Sequence, residues 1–319
     1  MTKKVRVEAR IPFNHLGYPM KLQDLVTSYL SVRLVRPPTA RTYHYYVRRV
    51  IEHTGKERVG DFDVRLAIQF RDKLLETSVA VTWNSARRHL IALWKHAESI
   101  HMASHNPWRE LRAAQVRSRP KTILDSDFEK AKIYLDEHPI RFKPFRFWQC
   151  VFLTLACTGM RRAQLVGLIW ADIHFAKRTI LLRAETSKTY REYTIPMSGH
   201  LLESLLQLQI EAKALWNGAS DFTQSQLFNI DLHKIRGNRC FKSLDDNQVS
   251  RFFTKLARLS EASLSCHRMR HRLATRLMEL DATHARNVQA LLGHANVATT
   301  LGYVSPSLKA IRAAIESVS

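Results

Sequence analysis

The stretch from His267 to Tyr303 constrains this 319-residue chain more than any other. His267 and Arg270 are three apart, so a helix puts them on one face. Leu273, Leu277 and Leu280 continue an apolar stripe at helical spacing, which can be buried while the polar pair points elsewhere. After a break at 281–283, Val288, Leu291 and Leu292 form the face of a second helix, and Gly293 suits its C-terminal stop. His294 then stands just past that end, a third short helix begins over Val297 to Leu301, and Tyr303 follows it.

That run gathers the equipment for handling a phosphate. An arginine fork holds two non-bridging phosphate oxygens at once. A histidine donates to a third oxygen or moves a proton. A tyrosine with its ordinary pKa of about 10 is a poor nucleophile alone, but a base can activate it and a cationic pocket can stabilise its phenolate. Attack by Tyr303 on a phosphodiester would give a phosphotyrosyl intermediate. Taken singly, His267, His294 and Tyr303 suit ordinary structural places, as most histidines and tyrosines do. The combination carries the reading.

Charge agrees with it. Lysine and arginine total 50 against 28 acidic residues, a net charge of +22 on a chain that is still 45% hydrophobic. Such a balance predicts a folded protein with a polyanionic partner; an RNA-binding or membrane-surface protein is the plainer alternative. No apolar run reaches the roughly 20 residues of a membrane span and no secretory signal is present, so the expected place is the cytoplasm, at the nucleoid of a bacterium. The four cysteines, 150, 157, 240 and 266, make no C-x-x-C pair, and no metal site is expected. Cys266 beside His267 resembles a nucleophile and its base only when the rest of the run is ignored.

Residues 1–20 form a basic, irregular N-terminal arm. Residues 21–108 read as a helical domain. Leu22, Leu25, Val26, Tyr29 and Leu30 share one helical face, and Pro37 and Pro38 end that segment. Thr39 is placed to cap a second helix, in which Tyr43, Tyr46, Val47 and Val50 recur at helical spacing. Arg41, His44, Arg48 and Arg49 occupy its other face. A third helix runs through Leu66, Phe70 and Leu74. A fourth, from near Thr82, buries Ala86, Leu90, Leu93 and Trp94 and turns Arg87, Arg88 and Lys95 outward; Asn106 and Pro107 close the domain. Basic stripes of this kind suit a DNA-gripping module, although each alone also suits a solvated surface.

Residues 109–121 lack a compact apolar face and are rich in arginine, which predicts an interdomain linker. Its Arg117, Arg119 and Lys121 can displace counterions from a DNA backbone, and two domains so joined would clamp a duplex. Residues 122–319 form the second domain, opened by a capped helix whose start is Leu124 to Asp127. The apolar run 147–160 predicts a buried helix that stops at Gly159. A charged residue emerging there, Arg161 or its neighbour Arg162, can be held rigidly at a cleft. Residues 178–197 alternate and are β-branched, which predicts a β-hairpin with a polar centre at 185–190. An amphipathic helix covers 198–216, the stretch 217–247 reads as loop-rich, and Asp245 or Asp246 precedes a helix through Val249, Phe252, Phe253 and Leu256. A C-terminal helix covers 306–318. The expected fold class is mainly α with a small β-hairpin or sheet in the second domain, an α+β arrangement.

HRMRH at 267–271, LLGHANVATTLGY at 291–303 and the tyrosine nine residues beyond His294 resemble the C-terminal signature of the tyrosine recombinases, the phage integrase family. The resemblance implies an N-terminal core-binding domain over 21–108 and a catalytic domain over 122–319. It implies site-specific DNA breakage and rejoining with no metal or nucleotide cofactor, on a specific recombination site. The family's T-G-[LM]-R pattern maps its first catalytic arginine onto Arg161, and its hairpin lysine onto Lys188 with Arg191 as the fallback. His267, Arg270, His294 and the nucleophile Tyr303 complete the implied set. The family usually has Glu where this chain has Gln164, which removes a buried ion pair behind the site. The resemblance further implies a homo-oligomer, a tetramer on paired DNA sites, with accessory proteins as further partners and no membrane. A type IB topoisomerase or telomere resolvase uses similar residues, and a non-catalytic DNA-binding regulator of the same fold is the reading from another class.

Overall fold

An apolar face repeating every third or fourth residue gives α1 (Leu22–Val32), and its Leu22, Leu25, Val26 and Tyr29 are buried. The computed structural model describes residues 20–116, 123–186, 191–216, 221–233, 244–280 and 285–293. These fall into two units, divided between Arg119 and Pro120. The arm at 1–19 and the helix expected over 306–318 lie outside the described residues.

In the first unit α1 is followed by α2 (Pro37–Thr54), α3 (Val64–Thr77) and α4 (Ala80–Ser99). Pro37 and Pro38 begin α2 rather than ending the segment before it, and Thr39 lies inside the helix instead of capping it. The reason is that the first turn of a helix has no use for its N–H groups, so proline fits there without loss. Tyr43, Tyr46, Val47 and Val50 are buried, as their spacing predicts. Asp63 caps α3 by accepting from the Leu66 N–H at 2.7 Å. Three tryptophans, Trp83, Trp94 and Trp108, are fully buried with Phe70. Trp94 and Phe70 each meet Trp108 edge to face.

The chain does not leave this unit at residue 109. Trp108 belongs to a short α5 (Pro107–Glu110), capped by Asn106. Beyond it, Trp83 Nε1 donates to the Arg112 carbonyl at 3.2 Å. The Asn84 side chain exchanges two hydrogen bonds with the Ala114 backbone, both 2.8 Å. Arg87 Nε donates to the Leu111 carbonyl. Residues 109–114, expected as linker, are therefore stitched onto α4, because polar side chains of that helix satisfy their backbone.

The second unit is built around α7 (Phe145–Thr158), which buries Phe147, Trp148, Cys150, Val151, Phe152 and Leu155. It packs against α9 (Gly199–Leu215) and α11 (Cys266–Leu280). Between α8 (Arg162–Gly167) and α9 lies a three-stranded antiparallel sheet in the order β1 (Ile173–His174), β2 (Thr179–Leu182), β3 (Tyr193–Pro196). The expected hairpin is the β2–β3 pair, with Ile180 opposite Ile195 and Leu182 opposite Tyr193; β1 adds a strand that alternation alone did not predict. The remaining helices are α6 (Asp125–Glu137), α10 (Asp246–Leu259) and α12 (Ala285–Leu292).

Two expectations change here. Asp125 does not cap α6, whose N-cap is Leu124 without a side-chain bond. Its carboxylate instead receives Arg272 Nε at 2.9 Å and Arg276 Nη1 at 2.6 Å from α11, and the Arg272 guanidinium lies 3.7 Å from the Phe128 ring centroid. The stretch read as loop-rich holds part of the core: Leu227 and Phe228 are buried. Gln226 secures it, donating to the Val166 and Leu244 carbonyls at 2.6 and 2.9 Å and accepting from the Leu244 N–H at 2.7 Å. The described residues are thus mainly helical, with one small sheet.

Candidate active site

Helix ends converge on Arg270. It sits in the second turn of α11 and is only 3% exposed. Its Nη1 donates to the Gly159 carbonyl at 2.8 Å and its Nη2 to the Leu292 carbonyl at 2.6 Å. These are carbonyls at the C-termini of α7 and α12, where backbone acceptors lack helical partners and the dipole end is negative. Gly159 makes the convergence possible. Its φ is +59°, and a Cβ there would lie 3.0 Å from Leu292 Cδ2 and 3.1 Å from Leu273 Cδ2.

Arg161 follows two residues later as the N-cap of α8. Its N–H donates to Gln164 Oε1 at 2.8 Å. Its Nη1 is buried and has no hydrogen-bond partner among the described residues. Arg162 turns instead to α10, 3.3 Å from Asp246 Oδ1, and donates to Ser250 Oγ. Arg161, Arg270 and His267 line one cleft of about 310 Å³, together with Met160, Arg162, Ala163, Cys266 and the carboxylate of Asp246, which Arg162 faces. A buried guanidinium nitrogen without a partner beside a second guanidinium is the arrangement that an anion with several acceptor oxygens would complete.

His267 is exposed on the first turn of α11, with Nε2 2.9 Å from His271 Nε2 and the two rings edge to face. One ring donates and the other accepts, so the two tautomers are linked. Burial pushes the Cys266 thiol up to about 12, with the Arg162 guanidinium pulling the other way. It is a protonated thiol, which removes the basis for reading it as a nucleophile.

Lys188, His294 and Tyr303 lie outside the described residues, although the segments leading to them are described. The described residues on both sides of the segment that holds Lys188 rest on α8. On one side, Thr186 packs against Gly167, whose carbonyl accepts from Arg183. On the other, Tyr193 Oη accepts from Gln164 Nε2 at 3.2 Å. Gly293, immediately before His294, has φ +60° and closes α12 as the sequence predicts. Sequence reasoning placed Gln164 behind the site but did not draw out its partner Tyr193. The departure from Glu at 164 was the available signal.

In the first unit Arg41 and Arg48 are exposed on α2, and Arg88 and Lys95 on α4. Arg87 differs: it is half-buried and directed at the Leu111 carbonyl rather than outward. Arg117, Arg119 and Lys121 lie outside the described residues. Among the described residues no group of three or more His, Cys, Asp or Glu could hold a metal ion, and no helix is long and apolar enough to cross a membrane.

The phage integrase family model matches residues 136–309. A Pseudomonas aeruginosa protein named "Putative tyrosine recombinase XerC" is 28% identical over 314 residues, an alignment covering 94% of this chain and 72% of the relative. The Tn1549 transposon integrase, solved in complex with a circular intermediate DNA, superposes with a TM-score of 0.72 at 18% identity over 93% of this chain and 99% of its own. A lambda integrase tetramer bound to a Holliday junction gives a TM-score of 0.68 at 17% identity, covering 91% of this chain and 78% of that one. At those identities the two structures share the fold with this chain.

Proposed function

The chain belongs to the phage integrase family and is a tyrosine site-specific recombinase, and we propose that it cleaves and rejoins duplex DNA through a 3′-phosphotyrosyl intermediate. Tyr303 attacks the scissile phosphate and frees a 5′ hydroxyl. Arg161 and Arg270 hold the non-bridging oxygens and stabilise the charge that gathers on them in the transition state. His294 helps to hold that phosphate. His267 takes the phenolic proton, and Lys188 gives one to the leaving oxygen. Guanidinium, imidazole and ammonium groups supply the charge, so neither metal nor nucleotide is required. The phosphodiester energy stays in the covalent bond, and a hydroxyl from a second strand reverses the step.

The observation that carries this reading is the pairing of Arg161 and Arg270 in one cleft, with Arg161 Nη1 buried and open for an acceptor. We assign residues 21–114 as the core-binding domain, 115–121 as the basic segment along the DNA backbone, 122–319 as the catalytic domain and 306–318 as a helix docking in cis or in trans. Two proteins of this fold were solved on circular-intermediate DNA and as a tetramer on a Holliday junction. We carry duplex DNA and a tetramer on paired sites over to this chain, with accessory proteins as further partners and the bacterial cytoplasm as the place of action. A suicide substrate nicked beside the cleavage site tests the proposal. Covalent trapping supports the enzyme; gel retardation without trapping points to a non-catalytic DNA-binding protein.

A further inference from the structure

Gln164 is completely buried, so both ends of its amide need partners. Its Oε1 accepts from the Arg161 N–H at 2.8 Å and its Nε2 donates to Tyr193 Oη at 3.2 Å. Tyr193 opens β3, directly opposite Leu182, five residues after Lys188. The same phenol meets α12. A Cβ built on Gly293 would lie 2.7 Å from Cε1, Cζ and Oη of Tyr193, closer than real Cβ atoms come. The backbone of residue 293 therefore rests directly on the ring, and its left-handed φ also disfavours a side chain.

We infer that Tyr193 is a positioning residue that ties three parts of the recombinase site together. Its hydroxyl holds Gln164, and through it the backbone of Arg161. Its ring carries the end of α12, from which the chain continues into His294. Its own backbone anchors the hairpin arm that returns from Lys188. A neutral amide and a phenol here do the joining that a buried ion pair could do, without desolvating a carboxylate. The inference rests on the site reading above, and its test separates the two.

The test uses full-length protein and the nicked suicide substrate. Tyr193→Phe keeps the ring but leaves Gln164 Nε2 without its partner. Single-turnover cleavage should fall by about 3- to 10-fold, the worth of one buried neutral hydrogen bond, while DNA affinity stays within about twofold. Tyr193→Leu, which also removes the ring, should lose more. Gln164→Glu offers a carboxylate that accepts from both the Arg161 N–H and the Tyr193 hydroxyl, so it should cleave faster than Gln164→Ala. That advantage should shrink when Tyr193→Phe is added, since only the Arg161 N–H is then left to the carboxylate. Backbone amide resonances of Arg161 and Gly293 read the link without cleavage, and both should move in Tyr193→Phe.

Any of these outcomes overturns the inference: wild-type cleavage in Tyr193→Phe; parallel loss of cleavage and DNA affinity in it; additive effects of the 164 and 193 substitutions; or unmoved amide resonances. Trapped DNA mapped to Tyr193 would also overturn it, by making that residue the nucleophile. Persistent trapping in Tyr303→Phe at some other residue sinks the site reading alone, and the amide shifts then still decide the link.

Discussion

Arg270 should prove to be a strut as well as an anion clamp. Arg270→Met keeps the apolar stem and removes both donors, leaving the Gly159 and Leu292 carbonyls unsatisfied at two buried helix ends. Each orphaned acceptor costs about 1–3 kcal/mol, which gives roughly 2–6 for the pair. Removing a buried cation returns part of its desolvation cost, so a net loss of about 2–4 kcal/mol is expected. Against a total of about 5–15 kcal/mol, that is a large fraction of a unit's stability. At about 2–4 °C per kcal/mol for a unit of this size, Tm should fall by roughly 4–16 °C. Arg270→Lys should lie between, since a single ammonium cannot reproduce the planar fork that serves both carbonyls. Calorimetry or urea unfolding of the full chain, followed through the transition of the second unit, reads the change. Arg161→Met is the internal control: Arg161 Nη1 has no described partner to lose, so it should abolish cleavage with less than about 1 kcal/mol of destabilisation. Equal stability losses in the two variants, or a loss below about 1 kcal/mol in Arg270→Met, would refute the strut.

Other outcomes follow from the same geometry and charge. Tyr303→Phe should abolish covalent DNA attachment while duplex binding persists in a gel-shift titration. Cleavage should continue in excess EDTA; strict dependence on magnesium would sink the metal-free proposal. Neutralising Arg112, Arg117, Arg119 and Lys121 together should weaken binding to all sequences and flatten its salt dependence, with little loss of site preference. Burial, and secondarily Arg33, holds His96 below the ordinary histidine value of about 6.5. Its neutral form therefore supports folding above that pH, and the support is lost as pH falls through the unfolded value towards the folded one. Thermal melts should show Tm dropping between pH 7.5 and 5.5, and His96→Gln should shrink the drop; an undiminished drop would exclude His96 as its source.

Periodicity made the helices legible, because burial repeats with the helix itself. Tyr43, Tyr46, Val47 and Val50 needed no further information, nor did the apolar run that becomes α7 and stops at Gly159. Side chains that bind backbone far away left no such trace. Asn84 reaches Ala114 across thirty residues, so residues 109–114 looked like linker. Gln226 similarly secures a segment whose polarity suggested only loop. Asp125 had the composition of a cap, yet two arginines on α11 compete for its carboxylate more strongly than backbone N–H groups do. At the site, Arg270 and His267 were legible from spacing, whereas Tyr193 was not, since its role comes from the meeting of a strand, a short helix and a glycine.

Cys266 gives the cleft a resistance of another kind. A thiol among guanidinium groups is ordinarily a redox liability, because cations favour the thiolate that peroxides and alkylating agents attack. Burial reverses the outcome here. With the thiol pushed up to about 12, the thiolate is scarce at neutral pH. An oxidative burst that converts exposed cysteines to sulfenic acid would thus attack this wall of the cleft more slowly.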